Sequence, residues 1–212
     1  SYLTQVLGTG TGKYLADQNG QPYLLRWDSM WGIIVNAGNS GGVTTWQSDM
    51  DNYCAIRAGQ GFNGFLSCPT MTTQAGIGTN NNGQTWDGIL PFTSPGVLNN
   101  TFWTRVDHLL NSAAGNGMTV VLHVMFYSAI GTAGGPLNGW TDTQYTAYGN
   151  AIGTRYGATP NLIWEFGDDY PLFGEMWDDK FDACLAGIRA AGDTHLISIE
   201  NLNEGSSRYS CD

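Results

Sequence analysis

Basic residues are scarce in this chain: eight Lys and Arg stand against eighteen Asp and Glu, a formal net charge of -10. Such a surface repels phosphate backbones and anionic lipid, so nucleic acid and membranes are poor partners and a neutral substrate fits better. Histidine is limited to His108, His123 and His195, none in an HExxH arrangement, which disfavours a zinc hydrolase; neither a metal nor a cofactor is expected. The four cysteines form no CxxC pair, against a zinc ribbon or redox motif. No GxSxG elbow precedes a helix, which disfavours an esterase. Gly8, Gly10 and Gly12 lead to Lys13 without phosphate-loop spacing, and Tyr14 stands where Ser or Thr is required. No apolar run has membrane-spanning length. The chain starts at Ser1 rather than Met, so its start reads as processed or trimmed and the lack of a leader says nothing.

What the chain does contain is core material. Hydrophobic residues make up 42% and aromatics 12%, which excludes disorder, and residues 1–212 read as a single domain. Charged residues are only 12%, while Gly, Asn, Thr and Ser abound, a surface typical of secreted hydrolases and the basis for expecting an extracellular setting. In that setting Cys54, Cys68, Cys184 and Cys211 would form two disulfides. Three pairings are open, the modest loops favour Cys54–Cys68 and Cys184–Cys211, and buried thiols are the alternative.

Apolar runs alternate with helical periodicities. Tyr14 to Leu25 predicts a hairpin turning at Asn19-Gly20 and continuing into Trp27-Asp28-Ser29-Met30-Trp31. Helical spacing recurs from Trp46 to Arg57, from Phe102 to Ala113, from Tyr145 to Tyr156 behind a cap at Asp142, and from Trp177 to Ile188. Between them lie strands at 61–68, 118–127, 161–166 and 195–200. The segment from Thr70 to Asn100 lacks periodicity and reads as a binding loop with Trp86 and Phe92 as aromatic surface. Strands alternating with helices predict βαβ units and a parallel sheet, about five units of an α/β fold of (β/α)8 TIM-barrel type.

Every strand delivers polar or aromatic residues at its C-terminal end, where parallel barrels carry their chemistry: Asp28 and Trp31, Cys68, His123 and Tyr127, then Asp168 and Asp169, then Glu200, Asn203 and Glu204. The run from Asn161 to Phe166 breaks abruptly into Gly167-Asp168-Asp169-Tyr170, three acids within five residues counting Glu165. Tryptophans and tyrosine beside acids suit a sugar, whose C–H faces stack on rings and whose hydroxyls bond carboxylates. The candidate subsite is therefore Asp28, Trp31, His123, Trp164, Asp168, Tyr170 and Glu200, each of which has an ordinary core or capping role as its alternative. Asp178, Asp179 and Asp182 favour a helix start by its dipole.

Several blocks resemble the apiosidase-like family of glycoside hydrolases: Leu15 to Trp31, Arg57 to Asn63, Phe102-Trp103 to Asp107, and Tyr148-Gly149 to Asp169 with Arg155-Tyr156-Gly157 and Pro160-Asn161-Leu162-Ile163-Trp164. The family's Gly-Asp-Thr-x-Trp strand motif is matched by Trp27-Asp28-Ser29-Met30-Trp31 with the first position changed, and its Gly-Gly-Asp by Gly167-Asp168-Asp169 with the middle glycine replaced. The resemblance implies a (β/α)8 barrel, retaining hydrolysis of a polysaccharide, and Asp169 as general acid/base. Retention needs a second carboxyl about 5–5.5 Å away. The resemblance puts that attacking Glu on a later strand, whereas Asp212 follows the fifth; a missing C-terminal segment or a second chain would complete such a barrel. Glu200 and Glu204 are the local substitutes. The competing expectation is a noncatalytic glycan-binding or self-assembling module.

Overall fold

The computed structural model describes residues 2–8, 12–72, 82–170 and 178–201. In chain order the elements are β1 (Leu3–Leu7), β2 (Tyr14–Asp17), β3 (Trp27–Ser29), α1 (Ile33–Asn36), α2 (Trp46–Gly59), β4 (Gly64–Ser67), β5 (Phe92–Ser94), β6 (Val97–Leu98), α3 (Asn100–Gly115), β7 (Thr119–Phe126), α4 (Tyr127–Gly131), α5 (Asp142–Tyr156), β8 (Leu162–Tyr170), α6 (Asp178–Ala190) and β9 (Ile197–Asn201). Five strands form one parallel sheet in the order β3-β4-β7-β8-β9, which is also chain order. This is the wall of a partial (β/α)8-type barrel. No helix among the described residues is long and apolar enough to cross a membrane.

The two faces of the wall are chemically different. Toward the helices lies a large cluster that includes Met50, Phe65, Phe102, Trp103, Leu122 and Trp164. On the other face a small cluster joins Leu66, Val121 and Ile163 with Leu3 of β1. β4 and β7 are buried along their whole lengths, so their sequences show continuous apolar runs instead of alternation. Trp103 is fully buried, donates Nε1–H to the Pro91 carbonyl at 2.8 Å, and packs against Phe92, Tyr148 and Tyr156. Phe92, expected as loop surface, is thus a core residue, while Trp86 stays 41% exposed with its indole N–H on the Ala37 carbonyl.

Helix ends follow local rules with one change. α2 starts at Thr45, whose side chain accepts from Ser48 N while the Ser48 hydroxyl accepts from Thr45 N. α5 starts with the same reciprocal arrangement between Thr141 and Gln144. Asp142, expected as the cap, sits in the first turn, and its carboxylate takes the Lys180 ammonium of α6 at 2.7 Å. α5 and α6 approach closely because glycines face the contact. A methyl group on Gly149 would overlap the Cys184 carbonyl, and one on Gly187 the Thr146 carbonyl.

Two further expectations change. The turn at Asn19-Gly20 forms, with Gly20 at φ 76°, but β2 pairs along its length with β1 rather than with the segment after the turn, which meets it in a single bridge at Ala16 and Pro22. Disulfides are absent among the described residues: Cys54, Cys68 and Cys184 are buried thiols, and Cys211 lies outside the described residues. The thiols face different neighbours, Cys54 against the Ser112 hydroxyl and Cys68 Sγ 3.7 Å from Thr70 Oγ1. Burial pushes the Cys54 thiol up to about 11, so it packs as a small apolar group.

Candidate functional site

The inner face of the wall turns from apolar to polar one pleat above Leu66, Val121 and Ile163. There His123 of β7 stands beside Glu165 of β8 in direct register, and Ser198 of β9 stands beside Glu165. The Ser198 hydroxyl donates to Glu165 Oε1 at 3.1 Å. His123 Nδ1 lies 3.8 Å from Glu165 Oε2 and 3.8 Å from Glu200 Oε2. His123 is completely buried, with its ring 5.5 Å from that of Trp31 and 5.2 Å from that of Phe126. Burial alone pulls its imidazole down to about 3, so it is neutral at ordinary pH.

Above this layer the β8–β9 ladder becomes irregular. Gly167 pairs with Glu200 and Tyr170 with Asn201, so Asp168 and Asp169 are extra residues in a bulge at the C-terminal end of β8. Gly167 has φ 114°, and a Cβ there would overlap the Glu200 carbonyl; only glycine lets β9 come that close. The side chains of Asp168, Asp169 and Tyr170 lie outside the described residues, as do Asn203 and Glu204 entirely. A second irregularity falls between His123 and Met125 in β7. Both strands thus deform at the end where parallel barrels bind ligands.

Of the residues singled out in the sequence, the fold brings Trp31, His123 and Glu200 together. It takes Asp28 elsewhere: that carboxylate accepts from Arg57 Nε at 2.6 Å and from the Tyr53 hydroxyl at 3.1 Å, which ties β3 to α2. Trp164 is also not a sugar platform. Its ring is fully buried against Tyr156 and His195, and Nε1–H donates to Asp193 Oδ2 at 3.1 Å, on the helix side of β8. In a strand covered on both faces Trp164 and Glu165 point opposite ways, and Glu165 is the one that joins the polar layer. Glu165 and Ser198 were not among the expected site residues. The available signal was a carboxylate inside an apolar run, which folding tolerates only with polar neighbours.

The block Arg155-Tyr156-Gly157 has a structural role. Arg155 grips Asp107 of α3 through two bonds, Nε at 2.8 Å and Nη2 at 2.6 Å, and the Tyr156 hydroxyl donates to the same carboxylate at 2.9 Å. This fixes α5 against α3.

Known proteins agree with this architecture. A glycoside hydrolase family 5 structure from Bacteroides vulgatus superposes with a TM-score of 0.70 at 18% identity, over 92% of this chain and 39% of that one. Endoglucanase Cel5A from Thermotoga maritima gives a TM-score of 0.53 at 19% identity, over 84% and 55%. Endoglucanase Cel5A from Pseudomonas stutzeri, solved in complex with cellobiose, gives 0.50 at 20%, over 69% and 40%. At these identities the likeness is one of fold, and the chain spans about 40% of the length of the most similar structures. No curated protein sequence matches. The profile described as apiosidase-like, catalytic domain, matches residues 9–210, and with nearly the whole chain inside that match the protein belongs to the apiosidase-like family, related in fold to the glycoside hydrolases.

Proposed function

We propose that this chain supplies the acid/base part of a retaining glycosidase that cuts a polysaccharide outside the cell, with Asp169 as the proton donor. The observation that carries the reading is the bulge after Gly167, which sets Asp168 and Asp169 apart from the regular ladder at the C-terminal end of β8. Bulges at such ends re-aim side chains next to active sites. Family membership supports the same residue, since Gly167-Asp168-Asp169 stands in the place of the family's Gly-Gly-Asp.

In this reading Asp169 gives its proton to the glycosidic oxygen, and a second carboxylate about 5–5.5 Å away attacks the anomeric carbon. The family resemblance assigns that carboxylate to a later strand, and Glu204, outside the described residues, is a local alternative. Trp31, with its ring beside His123, and the partly exposed Glu200 border the sugar. The acidic, lysine-poor composition fits a neutral glycan and an extracellular setting; cell fractionation tests the latter.

Replacing Asp169 with Asn is expected to lower hydrolysis of an unactivated polysaccharide by at least about 100-fold, the size of a general-acid contribution, with unchanged circular dichroism. Full activity in D169N overturns the assignment. The second reading is a noncatalytic glycan-binding or self-assembling module, favoured by β3 and β9, which have no outer strand partner among the described residues. Sedimentation as a dimer, with glycan binding but no hydrolysis, would select it.

A further inference from the structure

The polar layer beneath the Asp168–Asp169 bulge has a chemistry that acid/base hydrolysis does not use. It is the one group of three or more His, Cys, Asp or Glu side chains among the described residues whose donor atoms converge: His123, Glu165 and Glu200 each offer one atom, all within 4.8 Å of one another. Each residue comes from a different strand, and the three strands β7, β8 and β9 are neighbours. His123 is completely buried, and neither of its ring nitrogens hydrogen-bonds to a described residue. Nδ1 nonetheless points between the two carboxylates, 3.8 Å from an oxygen of each. That separation is too long for a hydrogen bond. Ligands at zinc distances of about 2.0–2.2 Å in a tetrahedron lie roughly 3.3–3.6 Å apart, so the two His123–carboxylate separations are within a few tenths of an ångström of that spacing, and the widest pair, bounded by 4.8 Å, would close by about 1 Å.

We propose that His123 Nδ1, Glu165 and Glu200 form a binding site for a divalent first-row transition cation of the zinc class, which clasps β7, β8 and β9 together below the catalytic rim. The mixed nitrogen and oxygen donor set selects the class. Imidazole suits zinc, cobalt and nickel, whereas calcium and magnesium take oxygen ligands. A neutral imidazole keeps its lone pair available without displacing a proton, and the burial that lowers its pKa maintains that state. Ser198 supplies the orienting contact that metal-bound carboxylates commonly have: its hydroxyl holds Glu165 Oε1 and leaves Oε2 on the side of His123. Trp31 and Phe126 pack around the imidazole and keep it from turning away. The lack of an HExxH motif does not bear on such a site, because its ligands come from three strands instead of one helix.

The test is zinc binding by the chelator-treated full chain, followed by calorimetry and elemental analysis, with cobalt as a spectroscopic probe. The expected result is one zinc per chain, a cobalt complex with visible d–d absorption, and a higher melting temperature with zinc than without. E200Q should weaken binding at least tenfold, and H123Q should abolish stoichiometric binding. D51N, which removes the surface carboxylate beside His108, should leave the affinity unchanged. If H123Q fails to fold, E200Q decides, since the Glu200 side chain is 35% exposed and the substitution is isosteric. Failure of the folded wild type to bind one zinc, or equal affinity in wild type and E200Q, overturns the site. None of these readouts involves hydrolysis, so the site and the role of Asp169 stand or fall separately.

Discussion

The sharpest stability prediction concerns Asp193, which sits in the turn between α6 and β9 with no exposed side-chain surface. Its carboxylate accepts from Trp164 Nε1 at 3.1 Å, from His195 N at 2.8 Å and from His195 Nδ1 at 2.8 Å. His195 Nε2 faces the Thr159 carbonyl at 2.6 Å, so both ring nitrogens meet acceptors and the imidazolium is the form that satisfies them. Burial acts to raise the Asp193 pKa, and bonds from His195 and Trp164 overcome it and leave the group below its ordinary value. For His195 burial acts downward, and the bonds to Asp193 and Thr159 overcome it and raise the net value. The depressed Asp193 therefore contributes stability above its unfolded value of 3.8 that is lost as pH falls through the folded one. The raised His195 contributes stability below its unfolded value of 6.5 that is lost as pH rises through the folded one. Both contributions are present near about pH 5.5.

D193N breaks a buried ion pair while keeping one acceptor, which places its cost at the lower end of the usual range, about 3 kcal/mol at that pH. For a chain of this size that is a fall in Tm of roughly 6–12 °C. Above the raised folded pKa of His195, where the imidazole is neutral in both variants, the loss should shrink toward the ~1 kcal/mol of exchanged neutral hydrogen bonds. Urea unfolding followed by tryptophan fluorescence at both pH values measures this. A cost below about 1 kcal/mol at the lower pH, or an equal cost at both, would refute the imidazolium–carboxylate clamp.

Two other substitutions probe what positions the site. Asn161 is buried and its amide donates to the carbonyls of Leu110 and Met118 at 3.1 and 3.0 Å, so N161A should lower urea stability by about 2–4 kcal/mol by stranding both acceptors. G149A forces a methyl into the Cys184 backbone, and a loss of more than about 2 kcal/mol, or failure to accumulate as folded protein, is expected; wild-type melting would contradict the close packing of α5 on α6.

Element order and type were legible in the sequence because they depend on local chemistry. Apolar runs bounded by Gly and Pro became β4, β7 and β8, three-to-four-residue spacing became α2, α3 and α5, and their alternation became a parallel sheet. The acids after Phe166 could be placed at a strand end for the same reason. Trp31, His123 and Glu200 were named from their positions near such ends, and the fold assembles them. What the sequence left open was the direction each side chain faces. A strand buried on both faces carries no alternation, so Trp164 could be named for the subsite and Glu165 passed over, and only the packing of α5 and the turn at Asp193 turned Trp164 outward and Glu165 inward. Asp28 shared a strand end with Trp31, yet Arg57 and Tyr53, distant in the chain, took its carboxylate. Cysteine count suggested covalent pairing, but Cys54, Cys68 and Cys184, the three among the described residues, are buried as thiols. Local periodicity sets which segments become strands and helices, whereas the meeting of His123, Glu165 and Glu200 depends on strand register, a long-range property that neighbouring residues in the chain do not encode.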